Sequence, residues 1–555
     1  MSEAGYYNEL EGFLKQGQLS KIELAKLKVK LCKKHRIKKV PTDIQVLLNT
    51  NDVELKTKPG RTGSGVAVVA IMTKPYKCPH GKCTYCPGGV GSVFGDVPQS
   101  YTGHEPATLR GIRNKYDPYL QVINRLEQYI VMGHIPEKIE LIIMGGTFIS
   151  YPKTYRDNFI KFAFKAMNDF SAIFFADGEL DIDLFKKVFE MPGDVTDPKR
   201  VKRIHGRLIK MKGNSKDVSL EKEKERNEDS TVKCVGMTIE TRPDYADLVH
   251  ANEMLRLGTT RVEVGVQSVF DETLQKIERG HTVGDTIESF KILKDLGFKV
   301  NAHYMPGLPG LSLRKDFEGM RQLFWDPNFR PDMLKIYPCM VVRGTKLFDD
   351  WKNKNFTPIA TKQASVLIAN FKKHVPEYCR IMRVQRDISS NEIEAGVKRT
   401  NLRQYIEKEL KKQKSRCRCI RCREPMPFFK RDGVQEMRVI NYEASGGQEF
   451  FISIEDKNHI YGFARMRFPA NALRKEITKD SALIRELHVY GSATQIGKKG
   501  EVQHQGMGKK LLAKAEEIAK QNKKNKIVVI SGVGVRNYYK NLDYQKEGPY
   551  MVKKI

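Results

Sequence analysis

Three cysteines fall within the ten residues KCPHGKCTYC, positions 77–86: Cys78, Cys83 and Cys86. Three thiolates at this spacing can hold three irons of a cubane [4Fe–4S] cluster and leave the fourth iron open to a substrate-like ligand. Zinc is the competing occupant, but a structural zinc takes four protein ligands and the cysteines here are one too few. Full ligation suits electron transfer, whereas an open iron suits chemistry. The spacing therefore points to an open cluster.

A second trio, Cys417, Cys419 and Cys422, lies in SRCRCIRCRE. Surrounding positive charge lowers thiol pKa and favours the metal-binding thiolate. A structural zinc clip is expected, with Cys379 and Cys339 as candidates for the fourth ligand that spacing does not separate. Three unligated cysteines in a basic nucleic-acid arm are the alternative. A third constellation lies near the C-terminus, where Gln503, Gly506 and Gly508 in QHQGMGKKLLAKAEEIAK put glycines at the start of a helix. Free backbone N–H groups and the helix dipole can hold a pyrophosphate there. ELHVYG (486–491) and KIVVIS (526–531) read as flanking strands, and RNYYKNLDY (536–544) follows with Tyr538 and Tyr539. Packing of a final helix is the plainer role for these tyrosines.

The elements that must position these groups show in the apolar periodicity. VAVVAIMT (66–73), KIELIIMGG (138–146), VGMTIETRP (235–243), RVEVGVQS (261–268), FKVNAHYMPG (298–307) and MLKIYPCM (333–340) read as strands buried on both faces. Helical patterns such as PYLQVINRLEQYIVMGH separate most of them. Six strands alternating with helices imply an α/β fold, a parallel sheet curled into a partial (β/α)6 barrel, with an open doubly wound sheet as the alternative. Such folds place their chemistry at the C-terminal strand ends. There the sequence puts Gly145, Gly146 and Thr147 after the second strand, and Glu240, Arg242, Gln267 and His303 on later ones. A polar group in an apolar strand is costly unless satisfied, so each faces either a ligand or a core hydrogen bond.

Four segments are expected: a basic helical piece over 1–60, the barrel over 61–374, a basic linker with the second trio over 375–430, and a smaller α+β domain over 431–555. The charged stretch 194–233 reads as a mobile loop inside the barrel. Lys and Arg number 97 against 66 Asp and Glu, a formal charge of +31, which points to a polyanionic partner. Residues 20–39 carry nine basic side chains and one acidic, 198–212 seven and none, 396–423 eleven and two. Aromatics interleave sparsely, so phosphate contact to a structured nucleic acid fits better than a stacking platform. Nothing in the chain reads as a signal peptide or a membrane span, and clustered cysteines favour metal over disulfides, so a cytoplasmic protein with no membrane partner is expected.

The cysteine trio opening after the first barrel strand resembles that of radical S-adenosylmethionine enzymes. The glycine turn and the RNYYKNLDY ending are similar to Gcn5-related acetyltransferases. Both halves in one chain, together with YTGHEPATLR, RVEVGVQSV, RVQRDIS, ELHVYGS, QHQGMG and SGVGVRNYYK, resemble the Elongator catalytic-subunit family in its archaeal or bacterial form, over roughly residues 60–555. The resemblance implies that a [4Fe–4S] cluster and S-adenosylmethionine sit in the barrel, with Gly145, Gly146 and Thr147 meeting the methionine amine. It implies acetyl-CoA on Lys138, Glu486, Leu487, His488, Val489, Gly506, Met507, Gly508, Lys509 and Tyr539, with Tyr539 and Lys138 in catalytic roles. The activity implied is C5 carboxymethylation of the wobble uridine, position 34, in the anticodon stem-loop of tRNA, served by an electron donor, with the need for other Elongator subunits left open by the sequence. A protein lysine acetyltransferase and a non-catalytic tRNA scaffold are the rival readings. A basic histone would be repelled by so basic a chain.

Overall fold

In the computed structural model, seven parallel strands form the first sheet in chain order: β1 (Ala67–Met72), β2 (Lys138–Met144), β3 (Lys233–Thr241), β4 (Arg261–Gln267), β5 (Lys299–Tyr304), β6 (Met333–Ile336) and β7 (Arg380–Arg383). The residues described are 3–16, 19–50, 62–63, 65–193, 197–214, 218–425, 434–490 and 506–555. The six expected strands are present and the sheet is the half-barrel anticipated. The seventh, β7, pairs with β6 through Met333–Arg380 and Leu334–Ile381. Its sequence, RIMR, has no apolar run, so only its tertiary partner makes it a strand.

Parallel register aligns inward-facing side chains in layers: Val68 pairs with Glu140, Ala70 with Ile142, and Met72 with Met144. Helices cover the outer face. Pro118–Val131 (α4) starts at Asp117, whose carboxylate accepts from Leu120 N at 3.1 Å, and Lys153–Phe174 (α5) packs beside it. Before the barrel, α1 (Glu3–Lys15), α2 (Lys21–His35) and α3 (Asp43–Asn49) close around Tyr6, Tyr7, Leu10, Leu31 and Val46. Capping boxes at Ser20 and Thr42 start α2 and α3, with Pro41 in the link between them.

The stretch 194–233 departs from the expected loop. It holds two helices, Pro198–Lys212 (α6) and Leu220–Asp229 (α7). Arg200, Ile204 and Leu208 form one buried face of α6 at four-residue spacing, and Asp197 caps it. Polar contacts hold α7: Asn168 Nδ2 donates to the Glu223 carboxylate at 2.7 Å, and Cys234 N donates to Asn227 Oδ1 at 2.7 Å. The stretch's high charge hid both helices, although α6 carries a short apolar face and α7 is secured by polar contacts.

The second sheet runs β8 (Glu436–Ala444), β9 (Gly447–Glu455), β10 (Ile460–Phe468), β11 (Ser481–Val489), β12 (Lys526–Val529), β14 (Tyr550–Lys554) and β13 (Gln545–Glu547). Only β11 and β12 pair in parallel, joined by helix α8 (Met507–Gln521), which buries Met507, Leu511, Leu512, Ala515, Ile518 and Ala519. A last short helix, α9 (Arg536–Lys540), precedes β13.

The two sheets meet through buried charge. Asp332 accepts from Arg485 Nη1 and Nη2 at 2.8 and 2.5 Å, Asp295 accepts from Arg467 Nη2 at 2.6 Å, and Glu449 accepts from Arg467 and Arg485 at 3.0 and 2.8 Å. All five side chains are essentially sealed from solvent. Each such charge costs several kcal/mol to desolvate, so the network is a weak source of net stability, but removing one partner would strand another ion in the seam. Glycine sets the closest approach: a Cβ on Gly532 would stand 2.1 Å from Val235 O on β3. No helix of the described residues is long and apolar enough to cross a membrane.

Candidate functional site

The C-terminal ends of the barrel strands open onto a cavity of about 340 Å³ lined by all three early cysteines and by Gly146, Thr147, Glu240, Arg242, Gln267 and His303. The cysteines lie on the loop after β1. The His80 ring bridges two of them, with Nδ1 3.1 Å from Cys78 Sγ and Nε2 3.1 Å from Cys83 Sγ. Gln99 Nε2 donates to Cys86 Sγ at 2.9 Å, and Arg279 Nη1 stands 3.6 Å from Cys83 Sγ. Burial pushes the Cys78 and Cys83 thiols up, while the Arg279 cation works the other way on both.

Two backbone features shape the cavity wall. Gly145 has φ of +128°, and a Cβ there would sit 2.0 Å from Thr73 Oγ1, so only glycine fits. Gln267 adopts φ of +66° at the end of β4, a left-handed conformation that costs a non-glycine residue about 1 kcal/mol or more and recurs at ligand sites. Arg242 is clamped on Asp244 at 2.8 and 2.6 Å and on Gly280 O at 2.9 Å, yet its Nη1 is buried with no partner among the described residues. An orphaned guanidinium N–H on a cavity wall fits an anionic ligand group such as a carboxylate.

Below the cysteines lies a layer of charge. His303 Nε2 is 3.1 Å from Glu263, Asn301 Nδ2 donates to Glu263 at 3.1 Å, and Lys335 pairs with Glu263 and lies 3.9 Å from Glu240. Tyr101 Oη donates to Glu240 at 3.1 Å. Burial pushes Glu240 up to about 7 against the pull of Lys335, and burial with the Lys335 charge pushes His303 down to about 4. Burial works to raise Glu263, but Lys335, His303 and Arg261 hold it well below the usual carboxylate range. Glu263, Lys335, Tyr101 and Arg279 were not singled out from the sequence. The signal that marked Glu240, a charge inside an apolar strand, was equally present in RVEVGVQS and MLKIYPCM.

The residues expected to hold acetyl-CoA fall into two groups. Glu486, Leu487, His488 and Val489 continue β11 beyond its pairing with β12, which ends at Ile484–Val529, while their pairing with β10 persists to Val489. The two parallel strands therefore part, leaving a wedge at the head of α8. Gly506, at φ of +77°, precedes α8. A Cβ on Gly508 would stand 2.9 Å from Tyr538 Oη and 3.9 Å from Leu487 Cδ2, so α8, α9 and β11 converge there. Met507 is buried in this wedge and Lys509 is exposed. Tyr539 is buried, its ring edge-on to Tyr538 at 5.2 Å, and burial raises its phenol. Glu486 is committed elsewhere, to Arg465 Nε at 2.8 Å and Lys299 at 3.8 Å. Burial pushes His488 down to about 4, helped by the charges of Arg380 and Lys299 and least by that of Lys138, which begins β2 in the other sheet. His488 Nε2 is buried with no partner among the described residues. Gln503 lies outside the described residues.

The late trio has different geometry. Cys417, Cys419 and Cys422 sulfurs all lie within 4.8 Å of one another, the one such set of three His, Cys, Asp or Glu groups among the described residues. Tetrahedral thiolates about 2.3 Å from one zinc stand roughly 3.8 Å apart, so the set fits a single ion. The early trio is spread more widely, as ligands round a cubane must be. Of the candidate fourth ligands, Cys379 adjoins the set through Ile420 N to Cys379 O at 2.9 Å, without its sulfur joining it. Cys339 instead packs with Cys83 and Cys86. Arg423, next to Cys422, is buried and pairs with Glu455 of β9, donating also to Arg418 O at 2.8 Å and Glu377 O at 2.7 Å.

A parallel half-barrel with three thiols at its C-terminal mouth defines a radical S-adenosylmethionine protein, a class that implies S-adenosylmethionine and a [4Fe–4S] cluster. Residues 72–324 match the Radical SAM superfamily and residues 331–412 the Radical_SAM C-terminal domain. The chain is 44% identical over 513 residues to the tRNA uridine(34) acetyltransferase of Methanocaldococcus infernus, covering 90% of this chain and 88% of that one. It is 39% identical over 571 residues to Elongator complex protein 3 of Saccharomyces cerevisiae, covering 99% and 94%. The structure of the Methanocaldococcus infernus Elp3 with an N-terminal deletion superposes with a TM-score of 0.70 at 38% identity, covering 89% of this chain and all of that one. The chain belongs to the Elongator complex protein 3 family.

Proposed function

We propose that the protein is a tRNA-modifying enzyme that attaches a carboxymethyl group to C5 of the wobble uridine, using acetyl-CoA and S-adenosylmethionine. The observation that carries this reading is the cavity where three widely spaced thiols share a wall with Arg242 and its orphaned N–H, in a chain whose second sheet parts two parallel strands beside a buried His488 Nε2 that has no partner among the described residues. Cys78, Cys83 and Cys86 would hold the cluster, which supplies the electron that splits S-adenosylmethionine to a 5′-deoxyadenosyl radical. Arg242 offers its free N–H to the methionine carboxylate, and the backbone at Gly145 and Gly146 lets the amine approach closely. Thr147, Glu240, Gln267 and His303 complete the wall of that pocket.

The wedge between β11 and β12 would take the CoA pyrophosphate at Gly506, Met507, Gly508 and Lys509, with Tyr539 near the thioester. Lys138 and His488 would meet the acetyl end. The carbon radical left when hydrogen is taken from the acetyl methyl would add to the C5=C6 bond of uridine; return of one electron to the cluster and loss of the C5 proton would restore that double bond, and hydrolysis of the thioester would release CoA and leave the carboxymethyl group. Phosphates of the anticodon stem-loop would lie on the basic segment 1–60 and on 375–430, flanking the barrel (61–374) and the acyl domain (431–555). Cys417, Cys419 and Cys422 would hold zinc as a clasp.

Labelled acetyl-CoA tests the reading. With deuterium in the acetyl methyl, 5′-deoxyadenosine should gain deuterium during turnover, and tRNA should gain the carboxymethyl mass. Product formed on tRNA by Cys83→Ala protein, or acetyl groups found on protein lysine and none on tRNA, would overturn it in favour of an acetyltransferase.

A further inference from the structure

The loop that carries Cys78 brings one thiol of the trio toward the surface. Cys83 and Cys86 are buried, whereas Cys78 is part-exposed. In KPYKCPHGK, residues 74–82, Lys74, Lys77 and Lys82 are all exposed and no acidic residue occurs. The carboxylates that adjoin this region are already engaged: Asp117, whose charge acts on the Tyr155 phenol, by Lys212, and Glu278, next to the Arg279 that faces Cys83, by Lys346.

The loop is held rigidly against α5 by a row of rings. Tyr76 stacks on Tyr151 with centroids 4.4 Å apart at 26°, Tyr151 stacks on Tyr155 at 5.0 Å and 19°, and the Lys74 ammonium lies 5.0 Å from the Tyr155 centroid. Tyr151 Oη bonds the Thr73 hydroxyl and Lys74 O, both at 2.9 Å, and Lys74 N donates to Tyr155 Oη at 3.0 Å. Lys74 therefore sits on a preorganised frame, and Lys77 and Lys82 adjoin Cys78 and Cys83 in sequence, beside the one accessible thiol of the trio.

We propose that this face, Lys74 on the Tyr76–Tyr151–Tyr155 row with Lys77 and Lys82 flanking Cys78 and Cys83 in the loop, is the docking surface for an acidic one-electron carrier protein. The inference rests on the reading that the early trio holds a cluster. One electron leaves the carrier and enters the cluster beside Cys78; no bond forms or breaks and no proton moves. Electron transfer weakens steeply with distance, so a carrier must dock at the thiol nearest the surface. Redox encounters are small and brief, and opposite charge steers them. Lysines binding RNA phosphate would need neither a position beside Cys78 nor a stacked frame behind them.

The test uses the full chain with its cluster reconstituted, reduced flavodoxin as the acidic carrier, and dithionite as a small reductant. The readout is the rate at which the reduced-cluster electron paramagnetic resonance signal appears. Lys74→Glu/Lys77→Glu/Lys82→Glu protein should be reduced by flavodoxin about tenfold or more slowly at low salt. It should be reduced by dithionite at a rate within about twofold of wild type, with tRNA affinity kept. The wild-type flavodoxin rate should fall with added salt and the variant rate should not. The triple Lys→Ala variant, a gentler change, should fall between them. Equal flavodoxin rates for wild type and both variants, or lost tRNA binding with flavodoxin rates intact, would overturn the proposal. A wild-type protein that shows no iron–sulfur signal even with dithionite would instead overturn the cluster reading beneath it.

Discussion

The two cysteine trios use the same three side chains for opposite ends. Cys78, Cys83 and Cys86 spread around a cavity whose walls include a left-handed Gln267 and an unpaired Arg242 N–H. Cys417, Cys419 and Cys422 draw together within 4.8 Å, beside an Arg423 whose three donor nitrogens are all used. Unsatisfied groups gather where a ligand must bind, and satisfied ones where only shape is needed. Thiol separation, more than thiol number, distinguishes the two.

The largest expected effect is a clean split between the trios. Cys83→Ala should abolish iron–sulfur absorption and tRNA product, with zinc content unchanged at about one per chain. Cys422→Ser should lose the zinc and keep the iron, as elemental analysis would show. Loss of both metals in either variant would break the distinction.

Next in size is Arg423→Met, which strands a buried Glu455 and should cost about 3–5 kcal/mol in denaturant unfolding while the cluster of properly folded protein stays intact. A change under about 1 kcal/mol would mean that Arg438, the other partner of Glu455, suffices alone.

A pH experiment sharpens the account of the cavity. His303, pushed from 6.5 down to about 4, contributes stability that is complete above 6.5 and lost as pH falls through 4. Glu240, pushed from 4.5 up to about 7, contributes stability that is present below 4.5 and lost as pH rises through 7. Each is worth on the order of 3 kcal/mol over that window, with opposite sign. Wild type should therefore change little from this pair. Between pH 7 and 4.5, Glu240→Gln protein should lose stability as pH falls and His303→Gln protein should gain it. Parallel slopes in the two variants would refute the assignment.

The smallest effect expected is that of Gly145→Ala. Its methyl collides with Thr73 and its backbone favours glycine, a strain of about 1–3 kcal/mol. S-adenosylmethionine affinity by calorimetry should fall about tenfold with iron content unchanged. The equivalent change at Gly206, where a Cβ meets nothing within 4 Å, is the control.

Six barrel strands were legible because parallel strands buried on both faces read as continuous apolar runs. The seventh was not, since RIMR becomes a strand only by pairing with β6. Nor were α6, whose apolar face of Ile204 and Leu208 is sunk in a run of lysines and arginines, and α7, which Asn168 and Asn227 anchor through polar contacts. The early cysteines and the Gly145–Thr147 turn could be read from spacing. Lys138 could not: an ordinary lysine at a strand start, it came from family resemblance, and only the packing of the two sheets brings its charge to His488. Glu263 and Lys335 carried a signal in their strands, but their mutual pairing is a matter of barrel curvature.

The charges sealed between the two sheets bear on how this architecture can be inherited. Asp295 and Asp332 belong to the barrel half, and Glu449, Arg467 and Arg485 to the other, so neither half is electrically complete when apart. A substitution on one side strands an ion on the other until a second substitution answers it. The halves are therefore bound to change as a pair, and a chimera joining this barrel to a foreign acyl half would need that half to carry the same arginines at the same registers.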